Sequence, residues 1–247
     1  MAVELDASVG LRENLERIEE EIAAACRAAG RSREEVALMA VSKMHPASSI
    51  VAAAALGIRL FGENKVQEFQ GKRAELVLPH GKPGQADAEF HLIGHLQSNK
   101  AARAAELFAS IDSLDSVSLA ERLNQAAASV GKRLAVLIEI KLSAEETKAG
   151  LAPESDELLL LLERLPNLAA LELRGLMTVP PFLEDLAAVR PYFAQLRVLR
   201  DRLAGAHPRL CFDELSMGMS HDFAVAIAEG ATQVRIGTAL FGARNYA

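Results

Sequence analysis

Residues 36–56 read VALMAVSKMHPASSIVAAAAL, and the order of their parts decides the fold class. Val36 to Val41 is an apolar run too short for a helix and ended by polar Ser42 and Lys43, so it reads as a buried strand. Pro46 then opens a second apolar stretch that runs through Leu56, as proline does in the first turn of a helix. The unit is strand, polar loop, helix. It recurs at Arg59 to Phe61 before Asn64 to Leu76, at Glu89 to Ile93 before Asn99 to Phe108, and at Ala109 to Ile111 before Ser116 to Val130. Four more strands follow at Leu134 to Ile140, Leu168 to Met177, Phe212 to Leu215 and Gln233 to Ile236, each succeeded by helical or Gly-marked sequence.

Eight strands alternating with helices, without hairpin turn signals, call for a parallel sheet with crossover connections. A doubly wound open sheet shares the alternation. The strand count and the 247-residue length favour a single α/β domain closed as a (β/α)8 TIM barrel over residues 1–247. Ahead of it, Leu11, Leu15, Ile18, Ile22 and Ala25 recur at helical spacing between Ser8 and Gly30, which predicts an additional N-terminal helix, within residues 1–35, packed on the barrel. Pro79 to Ala88 reads as a surface excursion, and the charged segment Glu139 to Gly150 as a solvated loop.

A net charge of −6 gives no bulk reason to bind nucleic acid or an anionic membrane surface, so any phosphate must be gripped locally. The two cysteines, Cys26 and Cys211, have no paired spacing, which fits reduced thiols in a cytoplasmic protein. Neither a signal peptide nor an apolar run of membrane-spanning length is present, so no membrane partner is expected.

Polar and Gly-bearing segments gather just after strands, where α/β folds place their ligand sites. Lys43 stands at such an end; partial shielding there would lower its pKa and leave an amine able to attack a carbonyl. A solvated helix-capping lysine is the plain alternative. After the last strand, the glycine-proximal amides of Gly237 and the Thr238 hydroxyl could face a phosphate, with Arg235 pointing inward. Ser216, Met217 and Gly218 offer a second pair of donors, Gly218 permitting close approach of backbone to an anion. Ordinary strand-to-helix turns would look the same. His91 and His95 lack a third metal ligand, and His45 and His221 lack a nucleophilic partner.

Six segments carry a resemblance: Ala40-Val41-Ser42-Lys43, Phe61-Gly62-Glu63-Asn64, His91 through Lys100, Arg174-Gly175-Leu176-Met177, Ser216-Met217-Gly218-Met219-Ser220, and Val234-Arg235-Ile236-Gly237-Thr238 through Phe241-Gly242-Ala243-Arg244. In this order, from about Val36 to Tyr246, they resemble the YggS/PROSC family of pyridoxal 5′-phosphate (PLP) homeostasis proteins. The resemblance implies a PLP-binding barrel similar to the N-terminal domain of alanine racemase, with Lys43 as the Schiff-base lysine and the phosphate on Ser216, Gly237 and Thr238. Arg235 would face the pyridine nitrogen, and Asn64 would lie near the ring. Lys65, where many relatives carry an aromatic residue, and His221, where an acidic one is frequent, depart from the pattern at the rim.

An arginine at the pyridine nitrogen disfavours its protonation and makes the ring a poorer electron sink. The racemases take a second base from a further domain, and here the sequence ends at Ala247 directly after the last motif. The resemblance therefore implies a monomeric protein that stores, buffers or delivers PLP to PLP-dependent apo-enzymes, without turnover of its own. The alternative is an amino-acid racemase or related enzyme with Lys43 as one base and His221 or His95 as the other.

Overall fold

The computed structural model describes residues 2–78, 87–143 and 149–243, with side chains in the first helix described from Gly10 onward. Most of the excursion read at Pro79 to Ala88, residues 144–148 of the charged segment, and Arg244 of the last motif lie outside the described residues.

All eight strands form in the expected order: β1 (Ala37–Val41), β2 (Leu60–Glu63), β3 (Glu89–Leu92), β4 (Ser110–Leu114), β5 (Leu134–Glu139), β6 (Leu171–Met177), β7 (Glu214–Met219) and β8 (Gln233–Ile236). Each pairs in parallel with the next, and β1 pairs with β8, so the sheet closes into a barrel. The helices are α1 (Ala2–Ala28), α2 (Ala47–Ala55), α3 (Val66–Arg73), α4 (Ala101–Leu107), α5 (Val117–Ser129), α6 (Asp156–Arg164), α7 (Leu186–Ala206), α8 (Phe223–Ala228) and α9 (Thr238–Phe241). This is the (β/α)8 barrel with an added N-terminal helix.

The main core lies between sheet and helices. Ala40, Phe61, Ile111, Ile138, Leu176, Val234 and Ile236 bury their outward faces against Ile50, Phe69, Leu123, Leu161, Phe193 and Ile227 of the helices. Phe69 packs between β3 and the end of α4, its ring centroid 4.5 Å from Phe90 and 4.9 Å from Phe108. Many of the remaining packing positions are alanines, which let helices sit close to the sheet.

The first helix packs against α8 and α9 through Ile18, Ile22 and Cys26, all buried. Asn14 donates to the Leu240 carbonyl at 3.1 Å, and Arg31 donates to the carbonyls of Ile227 and Ala231 at 3.0 and 2.8 Å. It thereby braces the elements that flank β8. Truncating Ile18 to Ala would cost about 2–5 kcal/mol.

The barrel interior differs from an ordinary apolar filling. Its apolar members include Met39, which lies in register with inward-facing Arg235. Asp112, Gln233, Ser216 and Arg235 are all buried and joined by hydrogen bonds between β4, β8 and β7. Strand β4 stands across the barrel from β7 and β8, so these bonds can pass only through its centre.

Candidate functional site

Lys43 occupies a tight turn directly after β1. The Ser42 carbonyl accepts the His45 N–H at 3.1 Å, which makes Lys43 and Met44 the two central residues of the turn. Met44 has φ 61°, the left-handed region where such a turn ordinarily takes glycine. A side chain there costs about 1–3 kcal/mol and persists only where its surroundings hold it.

The hold comes from β2 and α3. Glu68 accepts the Met44 N–H, while Lys72 donates to the Ser42 carbonyl at 2.8 Å and pairs with Glu68 and Glu63 at 2.7 and 2.8 Å. Glu63, wholly buried, also accepts the Ser42 hydroxyl at 2.7 Å. Burial pushes the Glu63 carboxyl above its ordinary range against the pull of Lys72 and Ser42. At Glu68, burial is outweighed by bonds from Lys72 and Met44, and the carboxyl is held low. The half-buried Lys43 is thus presented from a pinned, strained turn.

The chain's far end meets this turn. A Cβ built on Gly237 would lie 3.5 Å from the Val41 carbonyl oxygen, and the Phe241 ring sits 5.0 Å from the His45 ring. After β8, the amides of Gly237 and Ala239 both donate to the Ser220 hydroxyl, at 3.3 and 3.4 Å. Two converging N–H groups around one oxygen are the donor geometry that an anion's oxygen would also use. Thr238 is exposed between them.

Ser216 and Gly218 lie elsewhere than expected. The seventh strand, expected to end at Leu215, runs on to Met219, so residues 216–218 are strand and not a turn that offers backbone donors. Leu215 and Met217 pack toward the helices while Ser216 faces the interior, and this alternation disguised the strand's second half. Ser216 accepts from Gln233 at 2.8 Å and from Arg235 at 2.7 Å. Gly218 has φ 90°, and a Cβ on it would come within 2.6 Å of the Ala226 Cβ, so helix packing already demands this glycine. Ser220 takes the cradle position instead. It lay within the motif read from the sequence, and the period-two alternation from Leu215 was the signal that could have singled it out.

Arg235, fully enclosed, also donates to the Thr178 carbonyl at 2.8 Å. Asn64 follows β2, its carbonyl oxygen so near Gly94 that a Cβ there would come within 2.3 Å. Helix α3 starts at Val66 and leaves Asn64 in the loop. Glu139, at the end of β5, is buried with an oxygen that lacks a protein partner, as does the Ser143 hydroxyl beside it, and both line a 180 Å³ recess shared with His95. Burial and the like charge of Asp115 raise the Glu139 carboxyl to about 7 against Arg235 and His95.

The histidines separate. His91 pairs inside the barrel with Asp112 at 3.1 Å, His95 pairs at the rim with Asp115 at 3.0 Å, and the His221 ring lies 5.2 Å from Phe182. Among the described residues no group of histidine, cysteine and acidic side chains is placed to hold a metal ion.

Fold and site together define a parallel eight-stranded barrel with a strained lysine turn and an amide nest side by side at its C-terminal mouth. Residues 14–245 match the family described as alanine racemase, N-terminal domain. A pyridoxal phosphate homeostasis protein of Aquifex aeolicus is 44% identical over 235 residues, covering 95% of this chain and 98% of that protein. The PLP-bound structure of PipY from Synechococcus elongatus superposes with a TM-score of 0.78 at 42% identity, covering 91% of this chain and all of that one. An alanine racemase of Clostridium difficile shares the fold, with a TM-score of 0.68 at 18% identity over 96% of this chain and 57% of its own. The chain belongs to the pyridoxal phosphate homeostasis protein family, within the wider group of alanine racemase N-terminal-domain barrels.

Proposed function

We propose that this chain binds pyridoxal 5′-phosphate covalently through Lys43 and serves intracellular PLP homeostasis by storing, buffering or delivering the cofactor. The observation that carries the reading is the adjacency of the Lys43 turn to the Gly237–Ala239 nest, a nucleophile and an anion cradle at one mouth. The residues fit the group. A Cβ on Gly237 would meet nothing closer than 3.5 Å, so protein packing does not demand this glycine and an approaching anion would. When bound, PLP supplies an aldehyde for a lysine amine and an electron-accepting ring.

In this reading Gly237, Thr238 and Ser220 hold the phosphate, Asn64 flanks the ring and Arg235 faces the ring nitrogen. A fixed guanidinium there disfavours a proton on that nitrogen and so disfavours carbanion chemistry. Storage and delivery to PLP-dependent apo-enzymes therefore suit the site better than turnover of an amino acid. We read residues 1–247 as one unit acting as a cytoplasmic monomer, which suits the two unpaired cysteines.

Titration of the purified protein with PLP should give a visible Schiff-base absorbance that Lys43→Ala abolishes while circular dichroism stays unchanged. Persistence of the band in that variant overturns the assignment. Solvent deuterium appearing at Cα of an added amino acid at enzymatic rates would replace homeostasis with catalysis.

A further inference from the structure

Across the mouth from Lys43, the ends of β3, β5 and β6 enclose the 180 Å³ recess, and two of its polar atoms are not used by the fold. Strand β5 builds its base. Ile138 and Ile140 join the core outside the sheet, so the alternation turns Leu137 and Glu139 toward the interior. A Cβ on Gly150 would come within 3.2 Å of the Glu139 Cγ and 2.9 Å of the Lys141 amide nitrogen, so the chain returns tightly over the stem of the glutamate. Glu139 is left 8% exposed.

Most backbone groups around the recess are already engaged. The carbonyls of Gly94, Ile140 and Glu139 accept the Ser113 hydroxyl at 2.8 Å, the Thr178 hydroxyl at 2.7 Å and the Leu151 N–H at 2.8 Å. The amides of Ile140 and Lys141 donate to the carbonyls of Met177 and Leu151 at 2.8 and 2.9 Å. That leaves Glu139 Oε2 and Ser143 Oγ, both buried and both without a protein partner, and buried atoms of this kind are ordinarily satisfied from somewhere. The walls around them are Ile93, Ile140, Ala149 and Val179.

These atoms and walls define a ligand. A carboxylate accepts, a serine hydroxyl can accept as well, and a primary ammonium carries three donors on one atom at the end of an apolar chain. The nearby charges are largely committed: His95 is held by Asp115 at 3.0 Å, and Arg235 by Ser216 and the Thr178 carbonyl. Lys141, half-buried, is a further cation on the lining. We infer that this recess is a binding site for the ammonium group of a small aliphatic amine, with Glu139 and Ser143 as its acceptors and Ile93, Ile140 and Val179 against its carbon chain. The inference goes beyond the function proposed above and does not rest on it, because neither Lys43 nor the Gly237–Ala239 nest lines the recess.

The test titrates the PLP-free full chain with ethylammonium chloride, ethanol and sodium acetate at constant ionic strength while the Gly94 and Val179 amide resonances are followed by NMR. Ethylammonium should shift both saturably. Its affinity should fall about tenfold or more in Glu139→Gln and about threefold in Ser143→Ala, the worth of hydrogen bonds to charged and neutral acceptors. The Glu139 carboxyl gives a second readout: burial and Asp115 raise its pKa to about 7, and saturating ethylammonium should move it lower, because an adjacent cation favours the charged form. Ethanol binding as tightly as ethylammonium would make the recess merely apolar, and acetate binding more tightly would assign it to Lys141 and His95; either result overturns the inference. An affinity unchanged in both variants, or no saturable shift in wild type, overturns it as well. Lys43→Ala, which removes the Schiff-base band, should leave the ethylammonium shifts intact, so the two readings fail separately.

Discussion

The Arg235 guanidinium and the Ser216 hydroxyl lie 2.7 Å apart inside the barrel, where neither can exchange its partner for water. Removing the hydroxyl leaves Arg235 Nη1 and the second N–H of Gln233 Nε2, whose first is held by Asp112, each without this acceptor. Ser216→Ala should therefore destabilise the protein by about 1–3 kcal/mol. For a chain of this size, thermal denaturation should show a Tm lower by about 2–4 °C per kcal/mol. An unchanged Tm would mean that the buried donors find other acceptors.

The bond between these residues shows where sequence reading succeeds and where it stops. Strand order and the placement of Lys43, Arg235 and Gly237 follow from apolar runs and their polar endings, which are local properties. Asp112 and Gln233 give no such signal, because each looks like a surface residue until barrel closure brings β4 opposite β8. Ser216 misled for a related reason: a strand that faces a polar interior alternates polar with apolar residues, and so imitates a turn, while the turn-like Gly218 answers to the close packing of α8. The Glu63–Lys72–Glu68 hold on the lysine turn joins two elements and is equally silent in one dimension.

Met44 offers a direct probe of strain. Met44→Gly removes the left-handed penalty of about 1–3 kcal/mol but adds chain entropy to the unfolded state, about 0.5–1 kcal/mol, so stability should hold or rise by up to about 2 kcal/mol. Met44→Val places a β-branched side chain at φ 61° and should destabilise by about 1–3 kcal/mol. Urea midpoints of the two variants measure the difference. If the turn presents Lys43, the glycine variant should also acquire its visible band more slowly on addition of PLP, although its stability is retained.

Stability should depend on pH in a set direction. For His91, burial would lower the pKa, but the charge and hydrogen bond of Asp112 outweigh it and hold the ring charged up to about 10, against 6.5 when unperturbed. The folded state keeps a proton that the unfolded chain releases, so this contribution is full below pH 6.5 and fades toward pH 10. Glu139, raised from 4.5 to about 7, adds an earlier decline across that interval. Asp112 is held below its ordinary 3.8, so its contribution is present above that pH and lost as the solution becomes more acid. Urea midpoints taken from pH 4 to 10 should fall as pH rises, with Glu139→Gln flattening the first part and His91→Gln the second. A midpoint that climbs with pH between 6.5 and 10 would contradict the buried ion pair.

Two glycines that sequence reading treated alike should separate on substitution. Gly218→Ala brings a Cβ within 2.6 Å of the Ala226 Cβ and 3.0 Å of the Phe223 Cα, at φ 90°. Helix α8 would have to move, and a loss of about 2 kcal/mol or more is expected whether or not PLP is present. Gly237→Ala meets only Val41 at ordinary contact distance, so its stability should stay within about 1 kcal/mol of wild type. Its methyl group would instead occupy the approach to the nest, and PLP affinity should fall about tenfold or more, the worth of a charge-assisted bond to phosphate. Denaturation without ligand and PLP titration of both variants give four numbers that must cross: a stability loss confined to one glycine and an affinity loss with retained fold at the other. If Gly237→Ala binds PLP as tightly as wild type, the phosphate does not lie on these amides.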